Sequence, residues 1–362
     1  MRHQGLEVSS IRKLVSEREK IDAVDGLTKV LIANFDKLIG DKFERGRRLS
    51  FEQLRAVFRQ ADDVFRQKTA SVACSFDQFP GTPARPKSFA AEALYMGIKR
   101  MSQPPPGFRD VYQLFAFRLL GSAKCVRLGI DYLPYAFQYH TAERLMERVR
   151  DTDAAFLDVA RALAAWSLFI KRVQYTAINQ IGGFMSVPAI DDRGALLGEY
   201  VNQQPESGIE IEYNNEGAME FRRRIPAAKC QIYIVSTFVD RFVLRPNQLY
   251  AMNLLTDWKL RYAEDYAHAT AAWVWPGASG NPIVACLDKE TETALVPILT
   301  DADFIRAMNP DKTVNCLQPR DWQLPLGAWA HDAPRRATPS PAIHQNPSPF
   351  EGLIRRRSLV RA

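Results

Sequence analysis

The hydrophobic pattern of this chain changes its period near residue 180, and this change constrains the fold more than any other feature of the sequence. Before that point apolar residues recur at intervals of three and four, which is typical of helices, and after it they alternate, which is typical of strands. The sequence therefore predicts an α+β protein. Its helical N-terminal half is followed by a mostly antiparallel sheet with a long packing helix, and then by a disordered basic C-terminal arm.

Helices are predicted throughout residues 1–180. Ser50 and Gln53 have the spacing of a capping box, which predicts that a helix starts there. A further pair of helices is expected on the two sides of the proline run 104–106. The strongly apolar run 154–178 is expected to form a long buried helix at the centre of the fold.

Two hairpins, a central strand and a helix are predicted after residue 180. One hairpin turns at 191–194 and the other at 214–217, because Gly, Asp and Asn tolerate the dihedral angles of turns. Opposite charges are expected to face each other across the strands of the second hairpin. The run 230–239 is apolar without alternation, which predicts a strand covered on both faces. A helix is expected from about 247 to 272, with Pro246 at its start.

The last thirty residues differ in composition from the rest of the chain. Residues 333–362 contain five prolines, six arginines and few apolar residues, so burial does not offset the entropy lost on ordering them. We predict that they form a mobile Arg/Pro-rich arm. The expected organisation is a helical domain at 1–180, an α+β domain at 181–332 and this disordered tail.

The charge of the chain is arranged in blocks. Residues 1–180 carry 29 basic and 20 acidic side chains, a balance of +9. Residues 181–332 carry 13 and 20, a balance of −7, and the arm carries 6 and 1, a balance of +5. In such blocks the basic regions either neutralise the phosphates of a polyanion or dock on the acidic region of the same or a neighbouring copy. The predicted partners are therefore nucleic acid, DNA or RNA, and further copies of this chain.

Eight arginines are predicted to contact nucleic acid, because the planar guanidinium group donates two parallel hydrogen bonds to a phosphate. Arg222 and Arg224 are alternate residues of a predicted strand and so lie on one side of it. Six arginine contacts from the arm would give the logarithm of the binding constant a slope of about −4 to −5 against the logarithm of salt concentration. The eight residues are Arg222, Arg224, Arg335, Arg336, Arg355, Arg356, Arg357 and Arg361.

Local signatures of catalysis are absent from the sequence. It contains neither GxxxxGK[ST] nor GxGxxG, and its five cysteines include no CxxC pair. We assign no catalytic residue, no metal and no cofactor. The predicted function is that of a non-enzymatic, self-associating structural protein that binds nucleic acid through its basic arm. Coat proteins, nucleocapsid proteins and nucleic-acid-organising subunits are of this type.

An enzyme of unknown class is the alternative hypothesis. Glu264, Asp265 and His268 have the spacing of one helical face, where a carboxylate orients an imidazole as a general base. His140, from another predicted helix, would complete such a site or add a metal ligand. This alternative requires that the four residues converge in a deep pocket.

An adaptor or effector is the third hypothesis, in which the tail binds a protein. The segment 350–360 has apolar residues that would gain burial on a partner while its arginines stay hydrated. Ser358 follows three arginines and resembles a site for a basic-directed kinase.

The sequence also indicates where the protein acts. Residues 1–10 lack the apolar core of a signal peptide. The most hydrophobic stretch contains Asp158 and Arg161, which would be costly to place inside a bilayer. We therefore expect an intracellular, cytoplasmic protein with no membrane partner.

Overall fold

The computed structural model describes five helices and nine strands, which together form an α+β fold. It describes residues 8–22, 33, 48–68, 73–79, 90–149, 152–176, 184–189, 193–203, 208–214, 217–223, 231–263, 293–295 and 297. The helices are α1 (Val8–Asp22), α2 (Phe51–Lys68), α3 (Tyr139–Arg148), α4 (Ala155–Thr176) and α5 (Pro246–Arg261). The strands are β1 (Ala73–Phe79), β2 (Ala90–Arg100), β3 (Val111–Ser122), β4 (Val126–Gln138), β5 (Phe184–Pro188), β6 (Gly194–Asn202), β7 (Gly208–Asn214), β8 (Gly217–Arg223) and β9 (Gln231–Asp240).

All nine strands belong to one sheet. Its main path has the order β1-β2-β3-β4-β9-β6-β5, and β7 pairs with both β4 and β8. Every pairing is antiparallel except that of β4 with β9. The predicted α+β class with a mostly antiparallel sheet is thus confirmed. None of the helices that the structure describes is both long and apolar enough to cross a membrane.

The expectation of an all-helical N-terminal half is wrong for residues 73–79 and 90–138, which contain strands β1 to β4. The proline run 104–106 connects β2 to β3 and does not separate two helices. Residues of β3 are buried over most of its length, because helices cover both faces of the sheet there. A strand covered on both faces shows no alternation of polar and apolar residues, so its periodicity does not distinguish it from a buried helix.

Strands from both sides of residue 180, where a domain boundary is predicted, belong to this sheet. Strand β4 precedes that position, and it pairs with β7 and β9, which follow it. The ranges 1–180 and 181–332 therefore contribute strands to the same sheet. The predicted arm, 333–362, lies outside the described residues.

Strand β4 changes partner along its length. Residues 126–130 pair with β7, whereas residues 135–137 pair with β9. Pro134, which has no N–H to donate, lies between the two stretches, and the register with β3 shifts there. The buried side chain of Gln113 donates a 2.8 Å hydrogen bond from Nε2 to the carbonyl oxygen of Leu133. This bond satisfies a carbonyl at the irregular step in the strand.

Helices cover the sheet on both faces. On one face the core includes Tyr112 and Leu114 of β3 together with residues of α1, α3, α4 and α5. On the other face it includes Phe115 and Phe117 together with residues of α2. Successive residues of a strand point to opposite faces, which places α2 on the side away from the other helices. The prediction of a long buried helix at the centre is confirmed by α4.

Elements with strong local signals form where the sequence predicts them. The two hairpins are present, with Pro188 opposite Ala195 and Asn214 opposite Gly217. Strand β9 lies between β4 and β6, as expected of a central strand. Helix α5 begins at Pro246 and ends at Arg261, so its last turn lies before the predicted end at residue 272.

The start of α4 is capped by a carboxylate from another helix. The backbone N–H of Phe156 donates to Glu17 Oε2 of α1 at 3.3 Å. Burial raises the pKa of the Glu17 carboxyl from 4.5 to about 7, although hydrogen bonds from the first turn of α4 act in the opposite direction. The cap therefore ties α1 to α4, and it is protonated in the folded protein under mildly acidic conditions.

Glu17→Gln is expected to change how stability depends on pH. The folded pKa lies above the unfolded one, so the folded state binds the extra proton between pH 4.5 and about 7. The free energy of unfolding should then decrease as pH rises through this window, by on the order of 3 kcal/mol. Urea unfolding at a series of pH values should show this decrease in the natural sequence and a flatter dependence in Glu17→Gln.

The matched control is Glu19→Gln, because Glu19 is exposed on the same helix. This variant should keep the pH dependence of the natural sequence. Parallel curves for the natural protein and Glu17→Gln would contradict the role of the buried carboxyl.

The position of α2 depends on a capping box and on a glycine. The N–H of Gln53 donates to Ser50 Oγ at 3.3 Å and the N–H of Ser50 donates to Gln53 Oε1 at 3.0 Å, which confirms the predicted capping box. Leu54 of α2 lies over Gly121 of β3, where an added Cβ would come within 2.3 Å of Leu54 Cδ1. A side chain at this position would force Leu54 or Phe58 to move.

Gly121→Ala is expected to lower the free energy of unfolding by about 1–3 kcal/mol, because its methyl group overpacks the contact with Leu54. Gly129→Ala is the matched control, since a Cβ there would meet its nearest neighbour, a side-chain atom of Arg118, at an ordinary 3.8 Å. Denaturant unfolding of both variants tests the difference. Equal stabilities of the two variants would contradict the close approach of α2.

Candidate nucleic-acid interface

One of the eight predicted arginine contacts lies in the described part of the chain. Arg222 lies on β8, which pairs with β7 alone among the described strands. Its cross-strand partner is Ile209, and that of Glu220 is Ile211, so the register places neither of these charged residues directly opposite a residue of opposite charge. The predicted contacts outside the described residues are Arg224, Arg335, Arg336, Arg355, Arg356, Arg357 and Arg361.

Of the four residues in the acid–base hypothesis, the structure describes only His140. Its side chain is exposed on α3, where Nδ1 lies 3.1 Å from Glu143 Oε2 and Nε2 accepts a 3.2 Å hydrogen bond from Arg144 Nε. Both ring nitrogens therefore take part in a network along one helix surface. Glu264, Asp265 and His268 lie outside the described residues, as does Ser358. Among the residues described, no three His, Cys, Asp or Glu side chains are close enough to hold a metal ion.

A cleft of about 470 Å³ lies at the end of β2. Arg100 and Asp110 line it and form an ion pair, and Asp110 also pairs with Arg18 of α1 at 3.6 Å. Asp110 has a φ of 47°, in the left-handed region that non-glycine residues seldom adopt. Tyr112 is buried in the same neighbourhood, and burial raises the pKa of its phenol to about 12. Through Asp110, these ion pairs link Arg18 of α1 to Arg100 of β2.

A second cleft, of about 280 Å³, lies beside the start of α4. Asp158 pairs with Arg161 at 3.6 Å, and Asp153 forms an ion pair with Lys13. Arg193, from the turn between β5 and β6, also lines it. Acidic and basic groups are therefore mixed here, and the acidic ones already have basic partners.

Four basic side chains on the α2 side of the sheet form a different kind of surface, which we call the α2 basic surface. It consists of Arg48, Arg55, Arg59 and Lys124. All four are exposed, and none forms an ion pair with an acidic residue in the part of the chain that the structure describes. Unpaired, exposed cations keep their capacity to bind an anionic ligand.

Local contacts hold the α2 basic surface together. The N–H of Leu49 donates to the carbonyl oxygen of Ala123 at 3.0 Å, which places Arg48 beside the hairpin turn that carries Lys124. In that turn Ser122 Oγ accepts hydrogen bonds from the N–H groups of Lys124 and Cys125, at 3.3 and 3.2 Å. Cys125 is a free thiol. The backbones that carry Arg48 and Lys124 are thus fixed before any ligand binds.

The sequence interpretation missed the α2 basic surface. Arg55 and Arg59 are one helical turn apart and away from the buried stripe of Leu54, Val57 and Phe58, so their side of the helix was available as a signal. No signal in the sequence indicates that Lys124 lies near these arginines, because its position depends on how β3 and β4 pair. The surface thus combines a local pattern with a long-range contact.

Comparisons with known proteins add nothing to these geometric observations. No protein-family model, no curated protein and no solved structure matches the chain.

Proposed function

We propose that this chain is a non-enzymatic, self-associating structural protein that binds nucleic acid, of the coat, nucleocapsid or nucleic-acid-organising type. The observation that carries the proposal is the α2 basic surface, where four exposed cations lie together without an acidic partner among the described residues. The six arginines of the segment 333–362 supply further cations for the same ligand.

The binding is electrostatic in this proposal. Each phosphate that a basic side chain neutralises contributes about 0.7–0.9 to the magnitude of the salt slope. Four contacts from the α2 basic surface would contribute about 3 to 4, and six from the arm about 4 to 5, by the same rule. The two groups act additively if one polymer contacts both.

Self-association is supported by charge and by exposed apolar residues. The balance of +9 over 1–180 complements the balance of −7 over 181–332, so copies attract one another when opposite regions meet. Ile11 and Val15 are exposed one turn apart on α1 and offer an apolar patch for such a contact.

Absence of catalysis is part of the proposal and has its own support. The acidic groups that line the two described clefts form ion pairs with basic neighbours, and His140 lies on an exposed helix surface. Such pairs hold elements in place and do not present a free base or nucleophile to a substrate.

Replacing Arg48, Arg55, Arg59 and Lys124 by Gln is expected to weaken binding to nucleic acid and to lower the magnitude of the salt slope by about 3. The physical reason is that fewer counterions are released from the polymer. Fluorescence anisotropy of a labelled oligonucleotide, titrated with the full chain at several salt concentrations, measures both quantities.

The matched control carries the same change in net charge on other surfaces. It replaces the exposed residues Arg12, Lys20, Arg109 and Arg261 by Gln. This control should lower the slope much less than the α2 variant. Equal effects of the two variants would show that binding follows net charge alone and would contradict an α2 interface.

The contribution of the arm is tested with its length unchanged. Replacing Arg335, Arg336, Arg355, Arg356, Arg357 and Arg361 by Gln should lower the magnitude of the salt slope by about 4 to 5. The same anisotropy titration applies. An unchanged slope would remove the arm from the proposed interface.

A further inference from the structure

The turn between β9 and α5 presents an aromatic side chain to solvent. Phe242 is 95% exposed, the largest value among the exposed large apolar residues in the described ranges, and Val243 beside it is also exposed. Aromatic side chains bury large areas and dominate cores and interfaces, so an exposed ring is available for contact with a ligand. We call residues 240–245 the Phe242 turn.

Hydrogen bonds hold the Phe242 turn in one conformation. Asp240 Oδ1 accepts from the N–H of Phe242 at 2.8 Å, and the carbonyl oxygen of Asp240 accepts from the N–H of Val243 at 2.9 Å. The N–H of Arg245 donates to Gln248 Oε1 of α5 at 3.1 Å. The aromatic ring is therefore carried by an ordered backbone, and little backbone entropy is lost when a ligand binds.

Basic side chains flank the ring. Arg241 precedes Phe242 and is exposed, and Arg245 ends the turn. The N–H of Arg241 donates to the carbonyl oxygen of Arg193 at 3.0 Å, which joins the Phe242 turn to the neighbouring β5–β6 turn. Arg193 and Arg161 line the cleft beside the start of α4, together with Asp153 and Asp158. The one acidic residue of the turn, Asp240, uses a carboxylate oxygen for the turn itself.

Gly194 allows the two turns to meet. It lies opposite Asp240, and a Cβ on it would lie 2.1 Å from the carbonyl oxygen of Val239. Since a backbone atom cannot give way as a side-chain end can, any other residue would force the strands apart. Glycine at this position thus keeps Arg193 next to Arg241.

We propose that the Phe242 turn binds single-stranded nucleic acid, with Phe242 stacking on a base and Arg241 contacting a flanking phosphate. The inference rests on the proposed nucleic-acid function and adds the strandedness of the ligand. An aromatic face next to guanidinium groups is the arrangement that single-strand binding uses, because every base has a face that stacks. A duplex hides those faces between its base pairs.

The exposed Arg241 beside the ring favours a polyanion over an apolar protein partner. A protein that covered Phe242 and Val243 would also have to cover Arg241 at the rim, at a desolvation cost that its own acidic groups would need to offset. Phosphates are already charged and hydrated on the outside of a single strand. A phosphate of the strand contacts Arg241 while the neighbouring base covers the ring of Phe242.

The Phe242 turn and the α2 basic surface lie at opposite ends of the strands. Strand β4 runs from the hairpin turn that carries Lys124 towards Gln138, and β9 runs parallel to it and ends at Asp240. The length of β4 separates the two surfaces by about 40 Å, at about 3.3 Å per residue. The two sites are therefore tested by separate variants.

The experiment compares Phe242→Ala with Phe242→Tyr in the full chain. The probes are a labelled oligothymidylate and a labelled duplex of the same length, titrated by anisotropy. Phe242→Ala should weaken binding of the single strand by roughly 5- to 150-fold, which corresponds to the loss of one stacked base. Phe242→Tyr should restore binding, and duplex binding and the salt slope should not change, because stacking releases no counterions.

The matched control is Leu260→Ala, which removes another exposed apolar side chain, on α5. It should leave single-strand binding unchanged. Thermal unfolding of all variants should match that of the natural sequence, since Phe242 has almost no buried surface to lose.

Three results would overturn the inference. In the first, Phe242→Ala binds the single strand as tightly as the natural sequence, whereas the Gln replacements in the α2 basic surface still weaken binding. The proposed function then stands, and the stacking site is rejected. The second is an equal loss with both probes. The third is a change in oligomeric state without a change in affinity, which would assign the turn to contacts between copies. If the natural sequence binds neither probe, the proposed function itself fails.

Discussion

The fold depends on the way β4 is shared between two groups of strands. Its first part pairs with β7 and its last part with β9, and Pro134 lies between them. The buried amide of Gln113 donates to the Leu133 carbonyl at this step, so the irregular backbone does not leave that group without a partner. Strands from both halves of the chain thereby join one sheet, and the ends of that sheet carry the surfaces that we interpret functionally.

Different helices cover the two faces of the sheet, and this difference determines where Arg55 and Arg59 lie. Helices α1, α3, α4 and α5 cover one face, while α2 contributes to the core of the other. Because α2 is amphipathic and sits closely over Gly121, its outer side holds Arg55 and Arg59 near the hairpin end of the sheet. The opposite end carries the Phe242 turn. A polymer that contacts the protein at both ends would lie along the strands.

The sequence allowed prediction of those elements whose chemistry is local. The capping box at Ser50, the two hairpin turns, the apolar strand β9 and the buried helix α4 all form where the pattern places them. Strands β1 to β4 were mistaken for helices, because a strand such as β3, covered on both faces, has no alternation to reveal it. The α2 basic surface needed the long-range contact between Leu49 and Ala123, which no local pattern contains.

We propose that the chain associates with itself and holds nucleic acid by charge. Size-exclusion chromatography of the purified full chain, with absorbance recorded at a nucleic-acid and a protein wavelength across each peak, tests both parts at once. We expect a species larger than one chain whose absorbance ratio reveals bound polymer, and we expect high salt to remove that polymer. A monomer that elutes free of nucleic acid at low salt would contradict it.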